Sequence, residues 1–157
     1  MKSAYVKGVA AAFAIAAFGM TGIAVAQSEP TGVTKTRQDA MKANGKEVKA
    51  IKDELDKSSP SLSVIKENIA KLKDAAPKIV EWFPAGTGPE SGMKTKALPA
   101  IWQKPDDFKK ANQTYTGEVM KFAALTDKGD FAAMKSGLPA VQKSCGGCHN
   151  TFRLKDD

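Results

Sequence analysis

The sequence predicts an all-α fold, an antiparallel up-down-up-down four-helix bundle. Apolar residues recur at alternating steps of three and four in four separate stretches. The joints between the first and second stretches and between the third and fourth are short, which favours antiparallel neighbours. No run alternates with period two and no β-branched cluster appears, so no sheet is expected.

The first stretch carries Val33, Arg37, Met41, Asn44, Val48, Ile51 and Leu55 on one stripe and closes at Ser58-Ser59-Pro60. The second carries Leu62, Ile65, Ile69, Leu72, Ala76 and Ile79, with Ser61 or Ser59 as its N-cap. Pro77 falls inside that pattern and predicts a kink or an end near Ala76. Residues 83–99 are rich in Gly and Pro and read as the one long loop. The third helix opens around Pro105 and Asp106, with Phe108, Ala111, Tyr115, Val119, Phe122 and Thr126 inward. Residues 127–130 form a turn. The fourth helix sets Phe131, Met134, Leu138, Val141, Cys145, Cys148 and Phe152 on one stripe, and Pro139 is expected to bend it.

Ahead of these stretches, Lys2 and Lys7 precede an Ala-rich apolar run that ends in Ala24-Val25-Ala26. This is the grammar of a secretory signal, residues 1–26, cleaved after Ala26 to leave a periplasmic domain at 27–157. The apolar run falls short of the ~20 residues a membrane span needs, and no second such run follows. The chain has 24 Lys and Arg against 17 Asp and Glu, net +7. The lysines are scattered among acids without interleaved aromatics, so nucleic acid is not an expected partner. The scattered lysines read first as a solvated helical surface, with a basic patch meeting an acidic redox partner as the alternative.

Both cysteines and the only histidine lie at Cys145, Cys148 and His149. On a helix, positions i, i+3 and i+4 share a face. C-x-x-C-H is the attachment pattern of c-type haem: two thiols bind vinyl groups and the imidazole reaches the iron. A redox C-x-x-C pair would call for a βαβ setting, and structural zinc for four ligands. Neither fits. One covalent haem c is therefore expected, with export in agreement.

The sixth iron ligand is then Met, Lys, water or nothing. Met134 lies fifteen residues from His149 on the same helix, about 22 Å away. Met120 is too far along the third helix. In up-down order the level of His149 matches the beginnings of helices one and three and the end of helix two. Met41 sits at that level on the inward stripe, and Met93 in the loop is second choice. Trp82 and Phe83, with Ile79, are expected beside the porphyrin, where Trp102 and Phe108 are further candidates. Each aromatic equally suits ordinary core packing.

With C-x-x-C-H near the C-terminus followed by Phe152-Arg153, residues 36–46 (TRQDAMKANGK) and residues 101–108 (IWQKPDDF), the chain resembles the class II c-type cytochromes, the cytochrome c prime family. The likeness spans nearly all of residues 27–157. One branch of that family keeps an open distal iron face that takes nitric oxide or carbon monoxide, shielded by the residue at the position of Met41. In the low-spin branch, which this chain resembles more closely, that residue is a methionine bound to iron. By the same resemblance Arg37 pairs with a haem propionate and Arg153 covers the proximal imidazole. The alternatives are a surface ion pair for Arg37 and a charge on the helix C-terminus for Arg153.

The leading expectation is a non-enzymatic electron carrier with His149/Met41 iron, served by a redox partner protein of unknown identity. The alternative is a five-coordinate gas-binding haem protein. Peroxidase action lacks a second histidine or a distal acid–base pair. Monomer and homodimer both remain open.

Overall fold

The computed structural model describes residues 27–155, so the expected signal segment lies outside the described residues. Five α-helices follow: α1 (Gly32–Leu55), α2 (Leu62–Ala75), α3 (Ala100–Gln103), α4 (Pro105–Lys128) and α5 (Phe131–Phe152). The four long ones are those the periodicity predicts. α1 packs on α2 and α5, and α4 packs on α2 and α5, which closes a ring of four antiparallel neighbours. Ile51, Ile65, Leu72, Val119, Phe122, Met134 and Val141 fill its centre. Each such side chain stabilises the fold by about 1.5–3 kcal/mol relative to exposure.

Local chemistry explains most boundaries. Ser61 caps α2, its hydroxyl accepting from the Val64 N–H at 3.5 Å. α4 starts on Pro105, with Asp106 and Asp107 in its first turn where the helix dipole favours carboxylates. It ends on Gly129 at φ +70°, a left-handed position that suits glycine. Asp130 then caps α5 by accepting from the Ala133 N–H at 2.9 Å. The glycine at 137 brings α5 close to α4: a Cβ there would meet Leu125 Cδ1 at 2.8 Å.

Three details depart from, or refine, the expectation. α2 ends at Ala75, and the chain winds on as a 3₁₀ helix over Ala76–Trp82. Pro77 has no N–H to give an α-helical bond, and a short tighter winding carries the chain past it. The Ile101–Phe108 segment is split at Lys104, whose φ −130° and ψ 60° lie outside the helical region that a residue before proline avoids. α5 runs unbroken through Pro139. Segment 83–99 is a long connection with a 3₁₀ turn at Pro89–Ser91. No strand forms among the described residues, but two isolated bridges do: Ser28 with Met93, and Ala97 with Arg153.

The α1–α2 joint is held by Glu54. Its carboxylate accepts from the Ser61 N–H at 2.7 Å and from Lys57 Nζ at 2.6 Å. These bonds hold its pKa below the ordinary glutamate range: the Lys57 contact comes first, then the Ser61 amide.

Candidate haem site

Cys145, Cys148 and His149 occupy the last two turns of α5. Both cysteines are free thiols, half-buried, and pack against the core. Burial raises both thiol pKa values, that of Cys148 to about 11 with help from Cys145. Near neutral pH the sulfurs are therefore protonated. His149 keeps an exposed face, yet partial burial and then the Arg153 charge lower its pKa. At pH 7 the ring is neutral, with a nitrogen lone pair available to a metal.

Beyond His149 the chain is stitched to the long connection. Leu98 N–H donates to Phe152 O at 3.0 Å and Leu154 N–H to Lys96 O at 2.8 Å, around the Ala97–Arg153 bridge. Segment 83–98 also meets the start of α1. Arg37 is only 3 % exposed. Its Nη1 donates to Trp82 O (3.4 Å) and Thr87 Oγ1 (3.0 Å), and its Nη2 to Thr87 O (2.9 Å) and Thr95 Oγ1 (3.4 Å). Burial lowers its pKa and the charge of Glu90 partly offsets this. The first turns of α1 and the last turn of α5 therefore stand at one end of the bundle, as the topology argument requires.

An aromatic ladder crosses that end. Phe83 meets Trp102 at 6.2 Å and Phe108 at 5.0 Å, and Phe108 meets Phe152 at 5.2 Å, all edge-on. The Trp102 indole N–H is shared by Phe83 O (3.1 Å) and Pro84 O (3.0 Å). Trp82 is half-buried, its carbonyl taken by Arg37, and Ile79 is buried. Met41 is half-buried one turn beyond Arg37 and packs on the core. Met93 lies elsewhere in the same region, its sulfur 4.0 Å from the Thr31 hydroxyl, while Met120 is 42 % exposed and Met134 fully buried.

The sequence reading missed a polar patch on α4. Asn112 Oδ1, Tyr115 OH and Thr116 Oγ1 are buried atoms without a hydrogen-bond partner. Tyr115 lies within the electrostatic reach of Cys145 on α5 and Glu47 on α1, and burial raises its pKa. A tyrosine on an apolar stripe was the available signal, since a buried hydroxyl needs a partner. Thr87 and Thr95 were missed too, and they carry no periodic signal.

These residues fit a covalent haem. Two half-buried free thiols and an exposed imidazole share a face of the helix that ends in Phe152 of the aromatic ladder, and Tyr115, whose hydroxyl lacks a partner, lies within the electrostatic reach of Cys145. Cys145 and Cys148 would hold the group through thioethers and His149 would ligate its iron, which supplies reversible one-electron and ligand-binding chemistry. Cys148 also borders an open groove of about 410 Å³ between α4 and α5.

Comparison with known proteins agrees. The family model Cytochrome C' matches residues 32–153. Cytochrome c' of Pararhodospirillum photometricum is 32% identical over 129 residues, covering 80% of this chain and 99% of its own. Cytochrome c-554 of Cereibacter sphaeroides is 38% identical over 78 residues, 48% of this chain and 56% of its own, so the match spans about half of that relative. Among solved structures, the nitric oxide complex of a variant of cytochrome c prime from Alcaligenes xylosoxidans superposes with a TM-score of 0.71 at 26% identity, covering 81% of this chain and 98% of its own. The thiols, the imidazole and the four-helix frame thus have one shared context, and the chain belongs to the cytochrome c′ family, whose members carry one covalently attached c-type haem.

Proposed function

We propose that the chain is an exported single-haem protein whose iron takes up a small neutral gas, nitric oxide or carbon monoxide, opposite His149, with Met41 over that face. The observation that carries this reading is the likeness to a solved relative described as a nitric oxide complex. The site chemistry supports it. Phe83, Phe108 and Phe152 make the end of the bundle apolar, which admits neutral diatomics and penalises anions that would lose their hydration. The sequence holds one histidine, so no second imidazole competes for the iron or assists O–O cleavage. We therefore assign no enzymatic turnover.

The comparisons thus weigh toward gas binding over electron transfer, the leading expectation from the sequence. Electron transfer through His149/Met41 iron keeps one specific observation in its favour. Met41 is half-buried and packs on the core, whereas Met93 meets the Thr31 hydroxyl, Met120 is exposed and Met134 is fully buried. A thioether ligand would favour ferrous iron and need little rearrangement when an electron moves. A redox partner, periplasmic location with a start at Gln27, and a monomer or homodimer belong to the same proposal. No helix among the described residues is long and apolar enough to cross a membrane.

The absorption spectrum of the purified holoprotein, with carbon monoxide added after reduction, tests the choice. Broad high-spin bands and rapid uptake support gas binding. Split low-spin bands and no uptake overturn it in favour of the electron carrier.

A further inference from the structure

We propose that Thr95 is a positioning residue that couples the Met41 side of the haem site to the His149 side. Its hydroxyl oxygen accepts twice. One donor is Arg37 Nη2 of α1 at 3.4 Å, and the other is the N–H of Ala97 at 3.2 Å. Arg37 lies one helical turn before Met41. Ala97 is bridged to Arg153, one turn after His149 on the chain leaving α5. One side-chain oxygen therefore joins the guanidinium held at the start of α1 to the backbone pairing at the end of α5.

The surrounding bonds make this junction the narrow point of a longer strap. On the α1 side, Arg37 also grips Thr87 and Trp82 and lies over the rings of Phe83 at 4.6 Å and Trp102 at 5.9 Å. Gln38 Nε2 adds a bond to Lys94 O at 2.9 Å. On the α5 side, the Leu98 and Leu154 amides donate to Phe152 O and Lys96 O. Between the two grips, the Thr95 side chain reaches both. Its effect on the iron passes through the helices that carry Met41 and His149. The inference rests on the haem reading above, and on no particular gas.

Thr95→Val removes the acceptor at nearly constant shape, and Thr95→Ser keeps it. Two measurements on each holoprotein decide the matter: amide hydrogen exchange at Leu98 and Leu154, and the rate of carbon monoxide uptake by the reduced form. The expected result is at least threefold faster exchange and at least a threefold change in uptake for Thr95→Val, with Thr95→Ser close to the parent. Exchange and uptake within twofold of the parent in Thr95→Val would overturn the proposal, as would equal defects in both variants. If the parent takes up no carbon monoxide, the gas reading fails separately. The coupling is then judged by exchange together with the midpoint potential, and a potential that is the same in Thr95→Val and the parent overturns it.

Discussion

The guanidinium of Arg37 lies 4.6 Å over the ring of Phe83 while its nitrogens donate to the backbone of Trp82 and Thr87. A buried cation thus holds the long connection against α1 by its plane and by its edge. Lysine cannot reproduce both, because its charge is compact and its three donors do not form a fork. Arg37→Lys is expected to destabilise the holoprotein by about 1–3 kcal/mol, and Arg37→Ala by more, since it strands the acceptors on Trp82 and Thr87. Urea midpoints measure both. A midpoint unchanged in Arg37→Lys would mean that the fork is dispensable.

That contact also marks the limit of what the sequence made legible. α4 and α5 were readable because Pro105, Gly129 and Asp130 are local signals acting within one turn. The candidate haem residues stood out because Cys145, Cys148 and His149 lie on one helix face. Arg37 was singled out through the family resemblance, as a partner for a propionate. Its bonds run to Thr87 and Thr95, 50 and 58 residues further along, in a segment without periodicity. The orphaned polar atoms of Asn112 and Tyr115 escaped for a related reason. Tyr115 counts as core on its stripe, Asn112 lies off that stripe, and only packing reveals which polar atoms lack partners.

Two thioethers should act independently in holding the haem. Cys145→Ala and Cys148→Ala each leave one thiol to add across one vinyl group, forming one S–C bond with the hydrogen passing to carbon. Each single variant is expected to keep a covalent haem through the remaining sulfur, and the double variant to release it to acidified acetone. Mass spectrometry of the extracted chain reads the outcome. Covalent haem in the double variant would place the attachment elsewhere.

Met41 separates the two functional readings by the kind of change its loss produces. Under gas binding, Met41→Ala removes a shield: the high-spin bands stay and carbon monoxide uptake rises several-fold. Under His149/Met41 ligation, the same change converts split low-spin bands to broad high-spin ones and opens the iron to carbon monoxide. Either way Met41→Ala should cost about 1–3 kcal/mol, below a fully buried methionine, because the side chain is only half-buried. A spectrum and an uptake rate both unchanged would show that another residue faces the iron.

Glu54 predicts an acid limb of stability remote from the haem. Its carboxylate carries the Ser61 amide and the Lys57 ammonium at the α1–α2 joint, and these bonds hold its folded-state pKa below the unfolded value. A depressed carboxylate pKa means that the unfolded chain binds more protons as pH falls. The stabilisation is therefore fully present above the unfolded glutamate pKa and is lost as pH drops through the folded one. Glu54→Gln keeps an acceptor for the Ser61 amide but cannot titrate. Its Tm should lie below that of the parent at pH 7, and the gap should narrow as pH falls below the ordinary glutamate range. Lys57→Ala removes the first of the two contacts and leaves the Ser61 amide bond in place, so the acid limb should shrink there without vanishing. Parallel Tm curves for parent and Glu54→Gln across that range would remove Glu54 from the acid limb.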